Sequence, residues 1–308
     1  MRTALISHHA CLGHDTGADH PECARRLSAI NDHFVMTGLA DVLRHYDAPE
    51  VTQDQLLRVH TQHHLDRVAS MIPETGYGSL DPDTVVSSGS LAAARRAAGA
   101  VVKAVDLVSG GEMESAFCCV RPPGHHAESE RAMGFCLYNN IAVGVAHALH
   151  EHDFGRVAVV DFDVHQGNGT EEIFRDDERV LFCSTFQHPF YPFTPMLENA
   201  PNRVNVPLDA GAGSAEFRAA ITKHWMPAVE RFEPEMIFVS AGFDAHRDDD
   251  MSHIGLNDAD YRWVTEQIVH MAEASARNRI VSALEGGYEL NSLARCAEVH
   301  VRVLMGLH

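Results

Sequence analysis

Two adjacent histidines, His125 and His126, are placed where an acid–base pair could work. They lie in the stretch "RPPGHHAESERAMGFCLYNN", after a Pro-Pro-Gly turn and before a glycine-aromatic segment. An imidazole can take up and return a proton near neutral pH, so such a pair suits general acid–base catalysis. Solvated loop histidines would give the same pattern, because the chain contains 22 histidines. Other motifs must decide between these interpretations.

A second motif, "VVDFDVHQGNG", places Asp163 and His165 two positions apart. Alternate residues of an extended segment point the same way, so both side chains can face one ion. Asp244, in "SAGFDAH", offers a third ligand from another loop. Two carboxylates and one imidazole leave a position open for water, as a catalytic zinc site requires. Helix capping is the alternative for the carboxylates, and it fits Asp244 better than Asp163.

Three further side chains can support such a site. Asp161 precedes the two ligands and can hold a ligand or a second ion from outside the first coordination sphere. Asp161 and Asn168 can each orient one imidazole by accepting a ring N–H. Tyr288 follows two glycines, and its phenol can donate a hydrogen bond to a carbonyl oxygen that becomes an oxyanion. The alternative for Tyr288 is an aromatic residue at the rim of the site.

The elements that carry these residues are short apolar runs alternating with helix-like segments. The predicted strands are "TALIS" near the start and residues 116–120, 156–162, 180–185, 236–243 and 279–284. The predicted helices are residues 90–108, 138–150, 214–231 and 258–277. Near-continuous apolar strands separated by helices indicate a parallel sheet covered on both faces. The pattern therefore predicts an α/β fold, doubly wound.

The polar motifs follow four of these predicted strands directly. "RPPGHH" comes after "AFCCV", "DFDVHQGNG" after "VAVV", "FDAH" after "MIFVSAG", and "EGGY" after "IVSAL". Open parallel sheets bind ligands beyond the carboxyl ends of their strands. The sequence therefore predicts one functional site at that edge of the sheet.

Composition restricts the class of partner. The chain has 308 residues, and one domain is the simplest expectation. Its 43 acidic and 24 basic residues give a formal charge of −19, which opposes binding to nucleic acid and favours the approach of cations. An acidic surface that only keeps the protein soluble would look the same. Whether identical chains form a homo-oligomer is left open.

The cellular compartment is predicted from cysteine and apolar patterns. The seven cysteines form no C-x-x-C pair, and their odd number is typical of reduced thiols. No apolar stretch is long enough to span a membrane, and the first residues are too polar for a secretory signal. We therefore expect a cytoplasmic protein with no membrane partner.

Taken together, the motifs resemble those of the histone deacetylase and acetylpolyamine amidohydrolase superfamily. The matching stretches, in order, are "CLGHDTGADHPE", "RPPGHHA", "GFCLYNN", "VVDFDVHQGNGT", "SAGFDAHRDD" and "LEGGY". The resemblance spans nearly the whole chain. It implies a single catalytic domain over residues 1–308, with the arginase-like three-layer α/β/α fold and a mainly parallel central sheet.

The resemblance also implies a role for each catalytic residue. The metal would be zinc, and its ligands would be Asp163, His165 and Asp244. His126 would be the general base and acid, His125 its electrostatic partner, and Tyr288 the group that polarises the scissile carbonyl. A monovalent cation, usually potassium in this family, would lie near Asp161 and Ser184.

A narrow tunnel for the acylated amine is a further implication of the resemblance. Phe135 and Tyr191 stand at the positions of its aromatic walls, and an apolar slot suits an aliphatic stem that ends in an amide. Asn168 replaces an aspartate found in many members, which makes the motif similar to the class II deacetylases. Met251 stands where polyamine-selective relatives tend to carry a glutamate, which favours acyl-lysine as substrate.

Three functions remain open at this point. The first is zinc-dependent removal of an acetyl or other acyl group from a lysine side chain or a polyamine. The second is a binuclear manganese ureohydrolase of the same fold, which would need a bridging aspartate at the position of Gly167. The third is a non-catalytic module that binds acylated amines. Two residues at the rim depart from the family pattern, Ala24 and Asp250, each standing where a proline is common, while Arg26 is retained. These departures bear on substrate choice and not on the catalytic residues.

Overall fold

The apolar runs of the sequence form the strands of a central sheet. The structure is a computed structural model that describes residues 2–195 and 197–307. The strands are β1 Thr3–Ser7, β2 Arg44–Asp47, β3 Gly78–Ser79, β4 Val85–Val86, β5 Ser115–Cys118, β6 Val157–Asp161, β7 Val180–Gln187, β8 Arg203–Leu208, β9 Met236–Ala241 and β10 Ile280–Leu284. Every residue of β5, β6, β7, β9 and β10 is buried, as a sheet covered on both faces requires.

Eight strands pair in the order β2-β1-β5-β10-β9-β6-β7-β8. Every neighbouring pair in this sheet is parallel. The short strands β3 and β4 form a separate antiparallel pair. Parallel neighbours need crossover connections, which helices provide. The predicted α/β class with a mainly parallel central sheet is confirmed.

The crossovers are helical. The helices are α1 Arg25–Met36, α2 Gln53–Leu56, α3 Gln62–Ser70, α4 Ser90–Ser109, α5 Asn140–Glu151, α6 Asn168–Phe174, α7 Ser214–Ala220, α8 Met226–Phe232, α9 Asp258–Met271 and α10 Leu290–Leu304. A 3₁₀ turn spans His9–Gly13, and π-helical turns span Ile221–Trp225 and Ala272–Ala276. Helix α4 packs on α5, while α1 and α9 pack on α10. Within the described residues, every helix is too short or too polar to cross a bilayer.

The sequence pattern misses the two edge strands. The sequences of β2, "RHYD", and β8, "RVNVPL", lack a continuous apolar run because edge strands are only partly buried. The predicted helix over 214–231 is interrupted by a π-helical turn at Ile221–Trp225. The predicted strands over 116–120 and 236–243 end earlier, at Cys118 and Ala241, because the motif residues beyond them turn away from the sheet.

The strand order decides where the polar motifs meet. Strands β5, β10, β9 and β6 are adjacent in the sheet and run in the same direction. The loops that follow them therefore leave the same edge side by side. These are the loops that carry the histidine pair, the candidate metal ligands and Tyr288.

Candidate active site

The three candidate metal ligands converge. Nδ1 of His165 lies 3.1 Å from Oδ1 of Asp163 and 3.1 Å from Oδ2 of Asp244. One ligand atom from each residue lies within 4.8 Å of the other two, and all three residues are buried. The local reason differs from the predicted one. Strand β6 ends at Asp161, and Asp163 and His165 lie in a bend in which the backbone N–H of His165 donates to Asp163.

Two glycines make room for the carboxylates. A Cβ atom at Gly242 would lie 2.1 Å from Oδ2 of Asp163, and one at Gly286 would lie 2.1 Å from Oδ2 of Asp244. The backbone N–H of Gly286 donates to Asp163 at 2.8 Å, and that of Val164 donates to Asp244 at 3.0 Å. The backbone therefore fixes both carboxylates at distances that a side chain at either glycine would block.

No lysine or arginine among the described residues neutralises these two carboxylates. In the described part of the chain, no lysine or arginine forms an ion pair with Asp163 or Asp244 within 4.0 Å. Burial and the nearby charge of Asp163 raise the pKa of Asp244 to about 6. Burial alone would lower the pKa of His165, but contacts with both carboxylates raise it to about 9. Two buried carboxylates facing one imidazole nitrogen fit a divalent cation such as zinc.

Each histidine of the adjacent pair has its own acceptor. Nδ1 of His125 lies 3.0 Å from Oδ2 of Asp161, and Nδ1 of His126 lies 2.8 Å from Oδ1 of Asn168. The amide nitrogen of Asn168 donates to Glu128 at 2.7 Å, so its oxygen is the atom that faces His126. Because an amide oxygen only accepts, His126 donates from Nδ1 and leaves Nε2 without a proton. The structure brings the two predicted acceptors, Asp161 and Asn168, to one histidine each.

The same two histidines are electrostatically different. Burial lowers the pKa of His126 well below its ordinary value, and the neighbouring His125 and His165 lower it further. Burial alone would lower the pKa of His125 as well, but Asp163 and Asp161 raise it to about 10. These surroundings favour the neutral form of His126 and the protonated form of His125, and the two ring centroids lie 4.0 Å apart.

Buried acids and bases that the sequence analysis did not assign anchor these loops. Oε2 of Glu285 accepts the backbone N–H groups of Gly124 at 2.7 Å and of His125 at 3.1 Å. The guanidinium of Arg26 donates to the carbonyls of Gly287, at 2.6 Å, and of Glu285. Glu285 lies inside the quoted motif "LEGGY", so its position was visible, but its partners come from loops far apart in sequence.

Tyr288 is positioned by its own backbone. The N–H groups of Tyr288 and Glu289 donate to Oδ2 of Asp249, at 2.6 and 3.0 Å. Gly287, just before it, has a φ of 117°, a left-handed conformation that favours glycine. The ring of Tyr288 lies edge-to-face with Phe135 and 4.9 Å from the guanidinium carbon of Arg26. Tyr288 is one of the residues that line the cavity described next.

A cavity of about 170 Å³ joins the candidate catalytic residues to the predicted tunnel. Its lining residues are Asp83, His126, Gly134, Phe135, His165, Phe190, Tyr191, Met251 and Tyr288. All three predicted tunnel residues are among them, so the structure brings the predicted tunnel and the predicted site together. Asp83 and Phe190 were not predicted. Phe190 stacks on His165 with ring centroids 5.5 Å apart and adjoins the predicted Tyr191, which was the available signal.

Asp161 and Ser184 lie side by side in the sheet, as Cα partners across β6 and β7. The Ser184 hydroxyl is buried and has no hydrogen-bond partner among the described residues. A Cβ atom at Gly167 would lie 2.2 Å from Oδ2 of Asp161. Position 167 therefore has no space for a side chain.

Known proteins are similar to this chain in sequence and in fold. A family model described as "Histone deacetylase domain" matches residues 20–304. The chain is 36% identical, over 97% of its length, to the Histone deacetylase-like amidohydrolase of Pseudomonas aeruginosa, of which it covers 78%. It is 36% identical to Histone deacetylase 5 of Arabidopsis thaliana over 99% of its own length and 49% of that protein.

Two further comparisons agree. The chain is 33% identical to human Polyamine deacetylase HDAC10 over 99% of its own length and 48% of that protein. It therefore spans about half the length of the Arabidopsis and human relatives. A solved structure titled "Crystal Structure of HDA15 HD domain" matches with a TM-score of 0.93 and 33% identity, covering 99% of this chain and 90% of that one. The chain belongs to the histone deacetylase family of amidohydrolases.

Proposed function

We propose that residues 1–308 form a single catalytic domain, a zinc-dependent deacylase that hydrolyses the amide of an acylated lysine side chain. Water adds its oxygen to the carbonyl carbon, the C–N bond breaks, and the products are a carboxylate and a free amine. The main support is that one cavity is lined by His165, His126 and Tyr288 together, and that Asp163 and Asp244 each have an oxygen 3.1 Å from Nδ1 of His165.

The residues that would hold the zinc ion are Asp163, His165 and Asp244. Their oxygen and nitrogen atoms are of the types found in catalytic zinc sites, and their closeness without a lysine or arginine partner calls for a cation. When bound, zinc supplies a Lewis acid for the carbonyl oxygen and lowers the pKa of a water molecule.

His126 is the proposed base and acid. Its Nδ1 is occupied by donation to Asn168, so Nε2 is the nitrogen that takes a proton from the attacking water. The same nitrogen then returns the proton to the amine as the C–N bond breaks. His125, held by Asp161, is the electrostatic partner of this exchange, in line with its separate acceptor.

Tyr288 is the proposed donor to the carbonyl oxygen. Its phenol would stabilise the negative charge that grows on this oxygen as water attacks. Asp249 and Arg26 act through the backbone of the loop and are positioning residues for Tyr288.

The cavity walls support an acylated aliphatic amine as substrate. Phe135, Phe190 and Tyr191 give the slot apolar sides that suit a methylene chain. Met251 lines the same cavity and offers no charge for a second ammonium, which favours acyl-lysine over a polyamine. The carboxylate of Asp83 also lines the cavity and would accept either a peptide N–H or an ammonium, so it suits both substrates.

A monovalent cation, such as potassium, is proposed at Asp161 and Ser184. The buried Ser184 hydroxyl without a partner supports it, because a buried polar atom is costly unless something satisfies it.

The cytoplasmic location also remains a proposal. It is supported by seven cysteines that are free and mostly buried.

The polyamine deacetylase is the second candidate, because it would use the same site and because one relative carries that name.

The ureohydrolase is disfavoured. A bridging aspartate at position 167 would place its Cβ 2.2 Å from Asp161. A non-catalytic binding module is disfavoured because the ligands, both histidines and Tyr288 are all present around one cavity.

Turnover on a matched substrate panel tests the proposal. Acetyl-lysine peptides, longer acyl-lysine peptides and acetylated polyamines are compared with and without a chelator and added zinc. We expect chelator-sensitive hydrolysis that is fastest on an acyl-lysine peptide. Met251→Glu should shift preference toward acetylpolyamines, while the neutral Met251→Gln should not. Hydrolysis of no acylated amine by the zinc-loaded protein would contradict the proposal.

A further inference from the structure

The geometry points to a second metal site, at the edge of the sheet opposite the candidate active site. It is formed by Asp106, His147 and His152 and suits a divalent ion such as zinc. Asp106 lies near the end of α4, His147 lies on α5, and His152 follows that helix. This site does not depend on the proposed function, and its residues do not contact the catalytic cavity.

Two imidazoles present the same nitrogen to one carboxylate oxygen. Nε2 of His147 lies 2.8 Å from Oδ1 of Asp106, and Nε2 of His152 lies 2.9 Å from the same oxygen. The three ligand atoms all lie within 4.8 Å of one another. Zinc–nitrogen bonds of about 2.0 Å in a tetrahedron separate ligand atoms by about 3.3 Å, so an opening of roughly half an ångström would admit the ion.

The site is held in place and yet open to solvent. His147 is buried, and its ring lies edge-to-face with that of His152, which also stacks on Phe154. The side chains of Asp106 and His152 are 46% and 26% exposed, so an ion can enter and water can complete its coordination. Burial alone would raise the pKa of Asp106, but both histidines lower it, which favours the anionic ligand.

Arg58 is the residue that opposes metal binding here. Its Nη1 lies 3.4 Å from Nδ1 of His147, and its Nη2 donates to Glu151. When Nε2 of His147 binds an ion, Nδ1 keeps its proton and faces this guanidinium, donor against donor. Arg58 must therefore turn away, and its removal should strengthen binding.

A second grouping of similar closeness has poorer metal ligands. His246, Asp258 and Cys296 also have ligand atoms within 4.8 Å of one another. There, however, Arg295 donates to Asp258 at 3.0 Å, and burial raises the pKa of the Cys296 thiol. A neutralised carboxylate and a protonated thiol are poor ligands. In the Asp106 cluster the carboxylate has no lysine or arginine partner among the described residues.

Binding at this site would join α4 to the end of α5. A ligand that binds only the folded state stabilises it by an amount that grows with the logarithm of the ligand concentration above the Kd, and so raises the unfolding temperature. The test therefore uses enzyme already loaded at its catalytic site, dialysed against Zn²⁺, with metal content and unfolding temperature as the two readouts. We expect a second zinc equivalent and a zinc-dependent rise in unfolding temperature.

Matched variants separate a metal site from a purely structural contact. Asp106→Asn keeps an oxygen that can accept both ring N–H groups but loses the charge, so it should abolish the second equivalent. His152→Asn should abolish it as well. His150→Asn, on the same helix end and 66% exposed, is the control and should retain it. Arg58→Met should lower the Kd about tenfold, within the range for groups around a ligand.

Three results would overturn the inference. The wild type would take up no second equivalent, or Asp106→Asn and His152→Asn would both retain it, or Arg58→Met would leave the Kd unchanged. None of these results bears on the proposed function, because deacylase turnover at the first site is measured separately. Turnover should be unaffected in Asp106→Asn whichever result is found.

Discussion

The sheet has a carboxyl edge, where its parallel strands end, and an amino edge, where they begin. Both edges carry charged residues, but these residues differ in burial and in charge pairing. At the carboxyl edge, Asp163 and Asp244 are fully buried, and their ion-pair partners among the described residues are histidines, His125 and His165. At the amino edge, Arg156 and Glu233 form a 3.4 Å ion pair with side chains 49% and 69% exposed. The comparison shows that reactivity is expected where carboxylates are buried together without a neutralising arginine, and not wherever charges cluster.

Local backbone geometry explains this difference. The loops at the carboxyl edge are packed closely, with Gly242 and Gly286 in contact with the carboxylates. The connections at the amino edge instead follow helix ends, where Asp153, Glu233 and Arg277 adopt left-handed conformations with φ of 52°, 49° and 53°. Those residues point charged side chains into solvent, where water screens them.

The largest effect is expected from Asp163→Ala. Because this change removes a metal ligand, we expect turnover to fall by about 1,000-fold or more, since metal activation supplies several kcal/mol of the barrier. Turnover and zinc content are measured together. Asp106→Asn, a carboxylate of the opposite edge, is the control and should keep full turnover. Turnover of Asp163→Ala equal to that of the wild type would contradict the claim that only the carboxyl edge carries the catalytic carboxylates.

His126→Ala comes next. General acid–base catalysis supplies about 100- to 10,000-fold, so we expect a loss of at least about 100-fold in kcat. Zinc content should stay unchanged, because His126 is not among the proposed ligands. His150→Ala, an exposed histidine near the amino edge, provides the comparison. Full activity of His126→Ala on acyl-lysine peptides would contradict its role as base.

Tyr288→Phe should lower kcat by roughly 100- to 1,000-fold with little change in KM, the scale of losing one oxyanion donor. The ring remains to pack against Phe135, so the cavity shape is kept. Single-turnover kinetics isolate the chemical step. An unchanged rate of that step would exclude Tyr288 as the donor.

Glu22→Gln tests the carboxyl edge through stability. Glu22 and Arg121 form a fully buried pair at 2.7 Å, and breaking such a pair costs about 3–5 kcal/mol of unfolding free energy. Burial alone would raise the pKa of Glu22, but Arg121 lowers it to about 2. The stabilisation is therefore complete above the unfolded pKa of about 4.5 and is lost as the pH falls toward 2. Denaturant unfolding at pH 7 and at lower pH measures it, and a loss below about 1 kcal/mol at pH 7 would be inconsistent with the buried pair.

The smallest effect is expected from Glu233→Gln at the amino edge. Its exposed ion pair with Arg156 should contribute less than about 1 kcal/mol to the unfolding free energy. The same denaturant experiment measures it. A loss as large as that of Glu22→Gln would show that burial does not distinguish the two edges.

Much of the fold is predictable because the central strands are continuous apolar segments. Strands β6 and β9 are buried along their whole length, so their sequences are continuous apolar runs. Strands β2 and β8 border solvent on one side, and their mixed sequences conceal them. Edge position, which depends on the rest of the sheet, is not encoded in a short segment.

The candidate site divides in the same way. Asp163, His165 and Asp244 are visible in the sequence because each directly follows an apolar strand. Asp83 lies outside the quoted motifs and Asp249 lies inside "SAGFDAHRDD", but the place of both at the site depends on how distant loops fold back onto it. Asp249 is recognised only through its hydrogen bonds to the backbone of Tyr288 and Glu289. The roles of the site residues remain predictions until the variants are measured.

Metal reconstitution tests the central claim most directly. The purified protein is stripped with a chelator, and hydrolysis of an acetyl-lysine peptide is followed as zinc is added back in measured equivalents. We predict that the stripped protein is inactive and that turnover is fully restored by the first equivalent of zinc. Full turnover by the stripped protein, or a requirement for two manganese ions per chain, would contradict a single zinc site at Asp163, His165 and Asp244.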